Sequence, residues 1–525
     1  MGVQGQRIQQ NQRKPDVVYG SFQFIDLTGF LTGRPRNFAA PTPGVGIDST
    51  KGYRQTYLAA YLQDDYKVRR NVTLNLGLRW EFMTPPTEAS GNRISNYHVQ
   101  VVNGVSVLDT SPTLGSPFYE SHKKSFAPRL GFAWDILGDG KTAVRGGFGM
   151  FYDQIETEFK ARTGPNRPFW GTVQVANPPF PAGFSGGASA PALPAPEAID
   201  FGLSVPVRLQ YNVNVQRQIT PNTVITIGYV GSEAYHLIRM SDLNTGVPQI
   251  LADGTRFYPA DAPRVNPALA SSQFISSDAT SSYQGLDLEV TQRVSHGLRY
   301  KVSFTYAKTI DTASAIVGDW AIGVSTTTMQ ADNLRLDRGL SSFDVRRNLV
   351  GNLTYDLPWQ NSARAAARWI GGWQVSGIVT LSDGMPFTAS SGFRRSQNQQ
   401  NTVSDRPNLL PGKSKNPILG GPDRYYDPTV FALPPAGFYG NLGRNTLITP
   451  GFVTVDFTLT KVIPVSERLK MDFRTEFFNL LNHANFGLPG NRVFSSSGAV
   501  LGTAARISST VNTSRQIQFG LKLLF

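Results

Sequence analysis

Apolar residues recur at every second position in separate stretches of the chain. Val72, Leu74, Leu76, Leu78 and Trp80 alternate with Thr73, Asn75, Gly77, Arg79 and Glu81. Phe126, Leu130, Phe132, Trp134 and Ile136 do the same, as do Leu209, Tyr211, Val213 and Val215. Further along, Leu286, Leu288 and Val290 oppose Asp287, Glu289 and Thr291, and Leu298, Tyr300, Val302, Phe304 and Tyr306 oppose Arg299, Lys301, Ser303 and Thr305. Leu469, Met471, Phe473 and Phe477 stand against Lys470, Asp472, Arg474 and Glu476. A period of two sends alternate side chains to opposite faces of a strand. The pattern predicts about fourteen strands, at 17–24, 55–66, 72–81, 126–136, 142–152, 209–219, 223–231, 283–293, 298–308, 347–357, 373–382, 453–461, 469–479 and 515–525.

The connections carry as much information as the strands. Short links, such as Val68 to Asn71, Leu137 to Lys141, Thr220 to Asn222, Ser295 to Gly297 and Val462 to Arg468, alternate with long polar ones. The link from Pro358 to Gly372 is of intermediate length but takes a short-link position. The long links run over about 25–54, 82–125, 153–208, 232–282, 309–346, 383–452 and 480–514. In an up-and-down sheet, alternate connections lie at opposite ends. All short turns therefore gather at one end and all long loops at the other, as in outer-membrane barrels with short periplasmic turns and long extracellular loops.

Strands of about 9–11 residues suffice to cross a bilayer core. The polar faces carry too many charges for a sandwich core, whereas a wet lumen on one side and lipid on the other suits both faces. A propeller, a sandwich array or a solenoid should repeat a motif at a fixed period, and none recurs. The pattern predicts an all-β, antiparallel, up-and-down transmembrane β-barrel. No run of about 18 apolar residues exists, which excludes a transmembrane helix.

Composition adds little to this picture. The net charge of +13 raises a nucleic-acid reading. The Lys and Arg residues are scattered singly, and acids interleave the densest cluster between Arg54 and Arg70, so no nucleic-acid partner is expected. The chain has no cysteine, and its start, MGVQGQRIQQNQRK, has no apolar stretch of the signal-peptide kind.

Candidate chemistry is sparse. The glycines of RGGFGMFYD (145–153) lie on a period-two strand with no helix following, so they read as strand glycines and not as a phosphate loop. Asp64 and Asp65 are strand neighbours on opposite faces and cannot converge on one substrate atom. His98, His122, His236, His296 and His483 show no metal-pair spacing. The reading is therefore not an enzyme, with no catalytic, cofactor-binding or metal residue assigned and no cofactor expected. Trp80, Trp134, Tyr66, Tyr152 and Phe525 fall near strand ends, where aromatic girdles form in barrels.

YLAAYLQDDYKVRRNVTLNLGLRWEF (57–82) resembles the barrel of TonB-dependent outer-membrane receptors. YYDPTVFALPPAGFYGNLGRNTLITPGFVTVDFTLTKVIPV (425–465) and RTEFFNLLNHANFG (474–487) are similar to the Oar-like branch of that family. The likeness runs from about residue 50 to the end. It implies a receptor in the bacterial outer membrane for energised uptake of a substrate. The alternatives are a passive porin-like channel and a surface adhesion or structural barrel.

Such barrels have about 22 strands, so residues 1–525 are expected to be the C-terminal part of the barrel domain. The signal peptide, carboxypeptidase-regulatory-like domain, TonB box and plug would then lie outside this sequence. The implied partners are outer-membrane lipid, an unknown extracellular substrate and the TonB complex, the last through the plug segment; a monomer is expected. The alternating apolar set of the last strand, Ile517, Phe519, Leu521, Leu523 and Phe525, resembles the C-terminal signal read by the barrel assembly machinery. The loop aromatics Trp170, Tyr425, Tyr426, Phe438 and Tyr439 are the candidates for stacking on a substrate, or else for packing the loops together.

Overall fold

The computed structural model describes residues 1–13, 20–24, 27–42, 50–115, 117–155, 166–176, 178–183, 193–314, 328–358, 371–400, 405–466 and 469–525. Its frame is one antiparallel wall of fourteen strands in chain order. These are β1 (Gly2–Arg13), β2 (Thr50–Arg69), β3 (Val72–Met83), β4 (Ser125–Asp135), β5 (Thr142–Tyr152), β6 (Val207–Thr220) and β7 (Thr223–Ser241). The second half comprises β8 (Gln273–Ser295), β9 (Leu298–Asp311), β10 (Arg347–Asp356), β11 (Trp373–Ser382), β12 (Phe452–Pro464), β13 (Lys470–Phe478) and β14 (Gln516–Leu524). Each strand pairs with the one before it and the one after it. No pairing between β14 and β1 is formed among the described residues.

The register carries the sequence alternation around the wall. One outward row runs Val72, Trp134, Val144, Val215, Ile227, Leu288, Phe304, Leu349, Leu381 and Val453 as successive cross-strand partners. The adjacent inward row runs Thr73, Ala133, Arg145, Asn214, Gly228, Asp287, Thr305, Asn348 and Ser382. A slip of one residue would send Arg145 and Asp287 into lipid and Leu288 and Phe304 into the lumen, so the apolar pattern locks the register. Covering one Leu or Phe side chain contributes about 1.5–3 kcal/mol. Outward tyrosines near the long-loop end keep polar partners: Tyr211 and Tyr229 bond Gln284, which donates to Glu233 at 2.9 Å.

Asp64 and Asp65 take opposite faces as expected, with Asp65 accepting from Asn75 at 2.6 Å inside. The tight turns hold as well. His296 and Gly297, with φ of 51° and 79°, join β8 to β9, a left-handed pair suited to a two-residue hairpin loop. Most of the link from Pro358 to Gly372 lies outside the described residues.

Two differences from the sequence reading share one cause. The first strand is Gly2–Arg13, whereas the pattern placed it at 17–24. Residues 14–19 lie outside the described residues, and Ser21–Gln23 belongs to a small loop sheet with Asn37–Pro41 and Thr172–Ala176. Strand β1 pairs Gly2 with Tyr61 and Arg13 with Thr50, and so lies mostly against the part of β2 beyond the bilayer. Neither of its faces needs to be apolar there, and its glutamines carry no alternation. Strands β2, β7 and β8 are likewise longer than predicted, at 20, 19 and 23 residues. Alternation marks only the lipid-crossing half of each.

Substitution of Leu288 by Arg, at mid-height on the outward face, is expected to destabilise the wall by about 2–4 kcal/mol. Ser303→Arg, one position away on the inward face, should change it by less than about 1 kcal/mol. Urea unfolding in lipid vesicles, followed by tryptophan fluorescence, measures both; equal losses would contradict the assigned faces.

Candidate functional site, the loop cap and the inner wall

The long connections do not hang free. Extensions of β2, β7 and β8 rise past the bilayer and contribute Tyr53, Ile238, Met240 and Ile275 to a buried cluster with Ile94, Phe118, Tyr119, Ile155, Ile199 and Leu203 from two loops. A second apolar cluster joins the loops at 383–451 and 479–515 through Phe387, Tyr426, Phe431, Leu447, Val493 and Ile507. A third packs Tyr97, Leu108 and Ala198 on Leu269 and Phe274. The loops thus form a cap with apolar cores of its own.

Arginine–aspartate pairs tie these parts together. A register irregularity in β7 between Ala234 and Arg239, with His236 at φ 56°, breaks the regular alternation just before Arg239. Arg239 donates to Asp278 at 2.6 and 2.7 Å and to Thr328 Oγ1 and the Ala331 carbonyl at 2.9 and 2.8 Å. Arg256 makes a second two-pronged pair with Asp332, at 3.0 and 2.6 Å. Arg406 and Asp337, whose side chains are 7% and 9% exposed, pair at 3.0 Å. Arg406 also donates to the Leu336 and Leu442 carbonyls. Arg444 pairs with Asp311 and donates to the Asp337 carbonyl and Ser314. The segments 311–314 and 328–340 are therefore held by guanidinium groups from neighbouring loops on both sides.

Glu88 closes another joint. Burial opposes its charge, but the backbone N–H groups of Arg93, Gly52 and Ser90 donate to it at 2.9–3.0 Å and hold its carboxyl below the usual range. This fastens the start of the 84–124 loop to β2.

The candidate aromatics lie within the cap. Trp170, Tyr425 and Tyr426 are 1%, 8% and 0% exposed. The Tyr426 hydroxyl donates to the Gly490 carbonyl at 2.7 Å. Phe438 and Tyr439 are half-buried and pack on Phe257 and Tyr258. Tyr439 Oη accepts from Asn398 at 2.8 Å and donates to the Met329 carbonyl. Tyr425, Tyr426, Phe438 and Tyr439 join loops in this structure, and Trp170 is buried. Ile517, Phe519, Leu521 and Leu523 form the outward face of β14, each 49–69% exposed, and Phe525 follows at 95%.

Below the cap, the inward face is lined by amides, hydroxyls, glycines and charges. Lys301 pairs with Glu289 at 2.9 Å, Arg474 with Asp472 at 3.1 Å, and Arg79 with Glu81 at 2.5 Å. A cleft of about 630 Å³ runs along the inner faces of β2, β3 and β4, lined by Tyr61, Gln63, Asn75, Gly77, Arg79 and Arg129 among others. Sequence reasoning placed the polar faces on a wet lumen but missed the cap pairs and this cleft. The members of a cap pair stand 39, 69, 76 or 133 residues apart, so no spacing signal exists to find them.

The chain matches the family described as "Outer membrane beta barrel domain" over residues 1–518, and it belongs to that family. Among solved structures it is similar to the outer membrane transporter YddB from Escherichia coli, with 11% identity, a TM-score of 0.45, and coverage of 90% of this chain and 54% of that one. The FrpB iron transporter from Neisseria meningitidis gives 10% identity, a TM-score of 0.44, and coverage of 93% and 52%. The pyoverdine outer membrane receptor FpvA from Pseudomonas aeruginosa PAO1 gives 9% identity, a TM-score of 0.44, and coverage of 100% and 58%. The chain thus spans about half the length of these structures. No curated protein matches it.

Removing one partner of a buried ion pair costs about 3–5 kcal/mol. Arg406→Ala should therefore release the 328–346 segment to limited proteolysis while the wall keeps its heat-modifiable gel migration. Unchanged protease resistance would show that the apolar clusters alone hold the cap.

For Glu88 the folded-state value lies below the ordinary one, so its stabilisation is present above about pH 4.3 and is lost as pH falls through the folded value. Hydrogen exchange at the Ser90 and Arg93 amides, corrected for intrinsic rates, should rise on acidification to about pH 3. Glu88→Gln should lack that step; a step of equal size in the variant would assign it to another group.

Proposed function

We propose that this member of the outer-membrane barrel family forms the wall and mouth of a receptor for energised, TonB-dependent uptake. The observation that carries this reading is the asymmetry of the two ends. Every long connection lies at one end, and the loops there fold into a cap braced by buried pairs such as Arg406–Asp337, above a wall with a polar inner face. A cap of this kind supports selective capture at the mouth better than free diffusion through an open pore. The resemblance of 57–82, 425–465 and 474–487 to TonB-dependent receptors adds the energised step.

Intact cells with and without this chain, joined to the plug segment expected outside residues 1–525 and supplied with labelled ferric chelates, oligosaccharides and peptides, test the proposal. One class is expected to enter only when the chain is present, and to stop entering when a protonophore collapses the proton gradient. Chain-dependent uptake that survives the protonophore would mark a passive channel and overturn the reading. So would the absence of chain-dependent uptake for all three classes.

A further inference from the structure

The inner wall is not evenly charged. On β4, β5 and β6, three inward arginines, Arg129, Arg145 and Arg208, have no carboxylate partner among the described residues, and all three are exposed to the lumen. Arg145 donates only to the Gln216 amide oxygen at 2.5 Å, and Arg208 only to the Ser232 hydroxyl at 2.8 Å. This sets them apart from Lys301, Arg474 and Arg79 on the same face, and from the paired arginines of the cap.

Arg129 is positioned without using its donors. Its guanidinium lies over the Phe151 ring, 4.9 Å from the centroid. The ring in turn leans over Gly149, where a Cβ would meet it at 2.8 Å. Stacking of this kind fixes the plane of the cation but leaves its N–H groups free for an acceptor.

The three groups form a line. Along β5 the inward positions read Phe151, Gly149, Gly147 and Arg145; Arg208 pairs beside Phe151 and Arg129 beside Gly149. Six residues of strand span about 20 Å, a large part of the roughly 30 Å hydrocarbon thickness. Gly147, between the ends, carries no side chain and has no ring over it, so a solute can approach the backbone closely there. Arginine stays charged at any working pH, and fixed cations on a low-dielectric wall raise the local concentration of anions. Rings and rows of Arg or Lys mark anion and phosphate pores for the same reason.

We propose that the inner face of β4–β6 is an anion track, which selects water-soluble solutes bearing carboxylate or phosphate groups. This rests on the reading of the lumen as an uptake path and names the chemical class it favours. The full chain in detergent micelles, titrated calorimetrically with citrate, should bind it with an affinity that falls as salt rises. The variant Arg129→Gln/Arg145→Gln/Arg208→Gln should weaken binding at least tenfold, and Lys301→Gln should not. Heat-modifiable migration verifies that each variant is folded, and Arg129→Gln alone, expected to weaken binding severalfold, replaces the triple variant if that does not fold. Absence of citrate binding, undiminished binding by the arginine variants, or equal binding of the neutral sugar raffinose by the unmodified chain would overturn the track. Citrate binding without any chain-dependent uptake in cells would leave the track standing and sink the uptake reading.

Discussion

Lipid offers no hydrogen-bond partner, and everything else in this molecule follows from that. A backbone N–H or C=O left unpaired in hydrocarbon costs several kcal/mol, so a chain that crosses with strands must pair them side to side. Pairing fixes the register, and the register turns a two-residue alternation into two continuous surfaces. The row from Val72 to Val453 faces lipid because its neighbour, from Thr73 to Ser382, holds Arg145 and Asp287 and cannot. The same constraint acts on the two wall edges, the outer side of β14 and residues 62–69 of β2, which pair with no further strand among the described residues. In lipid, such an edge has to be covered by strand pairing.

Above the bilayer the constraint lifts, and the architecture changes with it. Strands β2, β7 and β8 keep their pairing but lose their alternation, because water or protein now lies on both faces. Stability in that region comes from ordinary globular means. The cap buries Tyr426, Phe118 and Leu269 fully, and draws its segments together with guanidinium–carboxylate pairs that use both prongs or add backbone carbonyls. A buried pair of this kind stabilises little in net terms but penalises any arrangement that separates it. That suits a mouth that must hold one shape.

The inner wall obeys a third logic. Its residues need neither lipid nor a packed core, so their charges are set by what lies in the lumen. Lys301, Arg474 and Arg79 on this face are neutralised locally, as Lys301 is by Glu289, but Arg129, Arg145 and Arg208 are not. Phe151 and Gly149 together hold Arg129 as an unspent donor.

What the sequence determined by itself was the wall. Thirteen of the fourteen strands, the tight turns and the split of Asp64 from Asp65 were legible, because a local period of two is all that a lipid-facing strand requires. It missed β1, whose glutamine-rich stretch pairs above the membrane, where no period is imposed. It marked Trp170, Tyr425 and Tyr426 as aromatics but not their burial, which depends on loops distant in sequence. Only the tertiary structure decided which arginines are paired and which are free. Arg406 meets Asp337 across 69 residues, and Arg129 meets Phe151 only because β4 and β5 share a register. Periodicity is a property of neighbours along the chain, whereas charge compensation belongs to neighbours in space.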